Sequence, residues 1–180
     1  PSDSLIASVG FVQRNAINEN GRFVFSMRDP ASRFISSAKH EFRVTTASVV
    51  PTQEVLSREV AQSITNRTSA PVRTSAYHKT IAQLEAVIPP QQIFYMFFED
   101  LFEQSKIDEL CDFLGVSRWP ADFDKTVNAD QAPSLRLPDG EFSGVVDSLT
   151  EVYETIFAKF GDRVPAAWHA SYARRSVAHA

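Results

Sequence analysis

Arg28 has the type and the place to meet a phosphate, and it lies with the hydroxyl of Ser36 in one stretch, Phe23–Phe42, FVFSMRDPASRFISSAKHEF. Phe23-Val24-Phe25 is a short apolar run of the kind that forms a buried central strand of a parallel sheet. Asp29 is a good helix N-cap and Pro30 a good first helical residue. Phe34, Ile35, Ala38 and Phe42 then fall on one helical face. Arg28 therefore stands at the carboxyl end of a strand, beside a helix N-terminus. Open α/β sheets bind ligands there, and the backbone N–H groups of a helix start favour anions. A guanidinium adds a planar fork that matches phosphate oxygens. The same residues also read as a capped helix after a buried strand, with Arg28 in a surface ion pair.

Other reactive side chains are sparse. His40 lies one turn beyond Ser36, and His78 follows Tyr77. Each could move a proton near neutral pH, or serve as a surface or packing histidine. Cys111 is the single cysteine and sits in an apolar helical stretch, where a buried structural thiol is the simpler reading. One cysteine excludes an internal disulfide and fits a reducing, cytoplasmic compartment. No Cys/His cluster has metal-ligand spacing. Asn66-Arg67-Thr68 is a glycosylation triplet of the sort that arises by chance.

These residues need a scaffold, and 180 residues suffice for one domain with a real core. The hydrophobic share of 43% and charged share of 22% are those of an ordinary globular protein. No apolar run approaches the roughly 20 residues that span a bilayer. The net charge of -4 hides an asymmetry: residues 1–80 carry a balance of +4 and residues 81–180 a balance of -8. The positive part contains Arg28 and Ser36, which suits an anionic ligand. The acidic pI of about 5.6, with basic residues not interleaved with aromatics, argues against a nucleic-acid surface.

Along the chain, Leu5–Val12 reads as a short strand weakened by Gly10, and Asn20-Gly21 as a turn. After the Phe23 strand and its helix, Thr45–Pro51 reads as loop. Thr52 caps a helix running to about Asn66, and Asn66–Arg73 is loop again. Thr74 or Ser75 caps a helix with Tyr77, Ile81, Leu84 and Ile88 as its stripe, ended by Pro89-Pro90. Gln92–Phe98 is a buried strand with Glu99-Asp100 at its carboxyl end. Lys106–Leu114 is a helix with Ile107, Leu110, Phe113 and Leu114 inward, closed by Gly115. Ser117–Gly140 is mostly loop. Phe142–Phe160 is one long helix closed by Gly161, and a short helix follows Pro165. Alternating strands and helices give an α/β domain with a parallel sheet. Only two of the strands are strong, too few for a stable doubly wound sheet.

The R-D-P-x-x-R-F-x-S run from Arg28 to Ser36 resembles the 3'-phosphate motif of sulfotransferases that use PAPS (3'-phosphoadenosine 5'-phosphosulfate). A second stretch is similar to the same family, in its heparan-sulfate-type and bacterial forms. It runs through Ser75-Ala76-Tyr77, Leu84, Pro90-Gln91-Gln92-Ile93, Glu99-Asp100-Leu101 and Phe113-Leu114-Gly115. Val127-Asn128 before a long helix fits more weakly. The likeness spans roughly residues 23–160. It implies a P-loop-NTPase-like parallel sheet flanked by helices, with residues 1–180 forming a single sulfotransferase-like domain. It also implies PAPS as donor, PAP as product, and an acceptor hydroxyl or amine, with carbohydrate as the first class to consider. Arg28 and Ser36 match the 3'-phosphate ligands. Phe98 stands where cytosolic members have a tyrosine lining the adenine pocket, and keeps the flat face without the hydroxyl. Glu99 would hold neighbouring loops together, and Asp29 and Arg33 would act as cap and ion partner.

One part of the family pattern is missing. No G-x-x-x-x-G-K-[ST], nor a looser Gly/Lys loop, is present to cradle a 5'-phosphosulfate with backbone N–H groups. The Leu5–Val12 region also lacks the Lys and His of a K-x-H motif. The resemblance thus implies the C-terminal two-thirds of the fold, N-terminally incomplete, and leaves the catalytic base unassigned. A nucleotide kinase-like P-loop phosphotransferase, a non-catalytic nucleotide-binding relative, and an α/β partner-binding domain stay open as alternatives.

Overall fold

A computed structural model describes residues 21–46, 51–124 and 136–176. In chain order the elements are β1 (Phe23–Met27), α1 (Pro30–Thr45), α2 (Gln53–Thr65), α3 (Ala70–Ser75), α4 (Tyr77–Val87), β2 (Ile93–Phe97), α5 (Gln104–Leu114), α6 (Asp139–Ser148), α7 (Thr150–Phe160) and α8 (Ala166–Tyr172). Single 3-10 turns cover Pro90–Gln92, Phe98–Phe102 and Gly161–Arg163. The described residues fall into two compact units. One holds residues 21–27 and 77–124, and the other holds 28–46, 51–76 and 136–176.

The first unit is a two-stranded parallel sheet with helices on its faces, so the class is mixed α/β. Phe23 pairs with Ile93, Phe25 with Tyr95 and Met27 with Phe97. Alternate residues of a strand face opposite ways. On one face Phe25 meets Tyr77 of α4 and Tyr95 edge-on, at 5.8 and 6.2 Å between ring centroids. On the other, Phe94 packs on Phe113 of α5 at 5.1 Å, and the Arg22 guanidinium lies over the Phe113 ring.

The strand expected at Phe23 forms and pairs in parallel, but it is not fully buried. Among the described residues β1 has one strand neighbour, and its burial alternates, with Val24 still 42% exposed. Met27, Met96 and Phe97 form the tightly closed end. In the expected inward row of α5, Phe113 does pack on the sheet and only Leu114 is corrected. Cys111 is its most buried member, while Leu114 is 39% exposed because the helix ends there at Gly115.

The second unit is helical. Phe34 and Ala38 of α1, Leu56 and Val60 of α2, Val145 and Val146 of α6, Tyr153 and Ile156 of α7, and Trp168 of α8 make its core. Burying large apolar side chains supplies the main driving force, on the order of 1.5–3 kcal/mol each. Local signals set the helix starts. Asp29 Oδ1 accepts the Ser32 N–H at 2.8 Å, and Thr52 Oγ1 accepts the Val55 N–H at 3.4 Å.

Three sequence expectations fail in this unit or at its edge. Asn66–Arg73 is not all loop, because α3 begins at Ala70 with Pro71 in its first turn, where proline is tolerated. Thr74 and Ser75 therefore lie inside α3 and do not cap α4. The expected long helix is broken at Leu149, whose φ of -112° and ψ of 12° leave helical geometry. The Leu5–Val12 strand and the Val127-Asn128 pair lie outside the described residues.

Candidate phosphate-binding site

Arg28 is exposed and immediately precedes the cap of α1. Asp29, by contrast, is only 6% exposed and uses every acceptor it has. Its Oδ1 takes the Ser32 N–H, its carbonyl takes the Arg33 N–H at 2.8 Å, and its Oδ2 takes the Tyr153 hydroxyl proton at 2.8 Å. The Tyr153 oxygen in turn accepts the Ala31 N–H at 3.2 Å. Pro30 has no N–H to offer. The Ala31, Ser32 and Arg33 N–H groups at the start of α1 are thus already engaged within the protein, which corrects the expectation that they stand bare for an anion.

Ser36 is a half-buried residue of α1, seven positions beyond Asp29. Seven residues are close to two helical turns, so Ser36 stands over Asp29 on one face, about 10 Å along the axis. Spacing places Ser32, Arg33, His40 and Arg43 around the same polar face, and the last three are exposed. Arg28 and Ser36 thus share one unit, Arg28 just before α1 and Ser36 on it.

Phe98 belongs to the other unit, on the turn after β2. It is 37% exposed and meets Phe102 edge-to-face at 5.2 Å. That turn is tied by Asp100, whose Oδ2 accepts the Phe97 N–H at 2.6 Å. In the same unit the Tyr95 hydroxyl donates to Glu85 Oε1 at 3.0 Å. Burial, and then that bond to Glu85, push the Tyr95 ionisation well above its ordinary range. His78 is half-buried on α4, His40 is exposed on α1, and Cys111 is buried.

Sequence reasoning missed Tyr153. Its aromatic ring reads as one more member of an apolar stripe, and its partner Asp29 is 124 residues away. It missed Asp100 as the acceptor of the β2 turn, having favoured Glu99 for holding the loops. A carboxylate three residues beyond an N–H donor at a strand end was the local signal available.

Among the described residues no helix is long and apolar enough to cross a membrane. No group of three or more His, Cys, Asp or Glu side chains there could hold a metal ion. No curated protein and no solved structure matches the chain at a significant level. A family model does: the sulfotransferase domain matches residues 5–132, a stretch that takes in Arg28, Ser36 and Phe98. With most of its length under that match, the chain belongs to the sulfotransferase domain family.

Proposed function

We propose that the protein transfers the sulfuryl group of PAPS to a hydroxyl or amine of its acceptor, with Arg28 and Ser36 holding the donor by its 3'-phosphate. The observation that carries this reading is the exposed Arg28 immediately before the capped start of α1, the helix that bears Ser36. Family membership gives the reaction in general terms, the transfer of a sulfuryl group. PAPS, when bound, supplies that group in activated form. Arg28 would meet the phosphate through paired N–H donors, and Ser36 through its hydroxyl. Holding the nucleotide away from the reacting centre lets its binding energy orient the sulfuryl group. Phe98 would offer its exposed ring face to the adenine. On this reading residues 1–180 form one sulfotransferase-like domain, and the two-stranded sheet is part of a P-loop-type α/β fold. Carbohydrate is the first acceptor class to test.

The test is calorimetric titration with PAP and with 5'-AMP, which lacks the 3'-phosphate. PAP is expected to bind at least tenfold more tightly. Equal affinities would overturn the assignment of Arg28 and Ser36. A panel of carbohydrate, phenolic and amine acceptors with labelled PAPS then reads the acceptor class.

A further inference from the structure

We propose that Tyr153 is a positioning residue for the phosphate site: its buried hydroxyl fixes the turn from which Arg28 projects. The inference rests on the PAP reading given above. Tyr153 sits on α7 with no exposed surface, and its hydroxyl bridges two groups at the start of α1, the Asp29 carboxylate and the Ala31 N–H. The residue that follows Arg28 is thereby held at three points, through both carboxylate oxygens and its carbonyl.

Packing alone does not call for that hydroxyl. A phenylalanine would fill the same volume, so the oxygen is there for its hydrogen bonds. Asp29 is buried, and a buried carboxylate needs donors. The hydroxyl also stays a donor at all ordinary pH, because burial and the neighbouring Asp29 charge push its ionisation far up. The ring is held in turn by Phe157 at 5.9 Å and Tyr172 at 5.2 Å, and Tyr172 donates to Glu154 at 3.0 Å.

The link to function is angular. A guanidinium meets phosphate through a rigid fork, and a small rotation of its backbone misaligns both donors. The Ser32 and Arg33 N–H groups stay bonded to Asp29 and are not offered to the ligand. Without the Tyr153 oxygen, Asp29 Oδ2 and the Ala31 N–H both lose a partner, and the turn after Arg28 can shift.

The test uses Tyr153→Phe in the whole chain and reads the ratio of PAP to 5'-AMP affinity. Losing one hydrogen bond of ordinary strength should lower that ratio roughly 3- to 10-fold, with 5'-AMP binding unchanged. A general loss of folded protein would weaken both nucleotides together. Phe157→Leu loosens the ring cluster while keeping the hydroxyl, and should leave the ratio intact. Should Tyr153→Phe fail to fold, Asp29→Asn reads the same contact from its other end, since Asn still caps a helix. An unchanged ratio in Tyr153→Phe, or an equal fall in Phe157→Leu, overturns the positioning role while the PAP site stands. A wild type that binds PAP and 5'-AMP equally removes the site itself, and the inference with it.

Discussion

At a phosphate, arginine differs from lysine in geometry more than in charge. Arg28 would present two parallel N–H donors where a lysine presents a single hydrated point. Arg28→Ala should therefore weaken PAP binding by about 1.5–3 kcal/mol, the usual worth of a charged hydrogen bond. Arg28→Lys should recover only part of this, because charge returns and the fork does not. Both values come from the calorimetric titration that tests the site, with 5'-AMP as reference. Full recovery by lysine would mean that Arg28 acts only through net charge. Arg28 and Ser36 could be proposed from the sequence because motif and local helix signals agree on them. Tyr153 could not, because the contact that gives it a role joins residues 124 positions apart. No local pattern encodes such a pair.

Elements are legible where a residue type has one conformational use. Pro30 at the first helical position, Asp29 and Thr52 as caps, and Gly115 and Gly161 as stops all act as the sequence implies. The break at Leu149 carries no such mark. Val145, Val146, Leu149, Val152 and Tyr153 face inward whether or not the helix is continuous. The change is a single tightened turn, with the Leu149 N–H bonded to the Val146 carbonyl at 3.0 Å. The two glycines differ in what they demand. Gly115, at φ 71° and ψ 30°, is left-handed, a state asparagine tolerates. Gly161, at φ 53° and ψ -128°, lies where essentially only glycine goes. Neither has an atom within 4 Å of an added Cβ, so backbone strain alone decides the cost. Gly161→Ala should cost on the order of 1–3 kcal/mol in urea unfolding, and Gly115→Asn well under that. Equal losses at the two sites would contradict this assignment of strain.

Over the whole molecule, the clearest titration signature should appear in alkali. Tyr153 and Tyr95 ionise well above the ordinary tyrosine value of 10.0. Burial is the main cause in both. The Asp29 charge adds to it at Tyr153, and the Glu85 bond adds to it at Tyr95. Each has a folded pKa above its unfolded one, so between the two values the folded protein keeps protons that the unfolded chain has released. Their contribution to stability is complete below pH 10.0 and is lost as pH rises beyond it. For one fully coupled group the limiting slope is about 1.4 kcal/mol per pH unit. Tyr153 should approach it, while Tyr95, more open to water, is screened and should give much less. Urea midpoints measured from about pH 8 to about pH 11 should hold level and then fall. Tyr153→Phe should remove most of that fall while lowering stability at neutral pH, where the hydroxyl still bridges Asp29 and Ala31. If the alkaline slope were the same in wild type and variant, the Tyr153 proton would not be part of what holds the helical unit together. The hydroxyl would then have no claim to fix the turn beside Arg28.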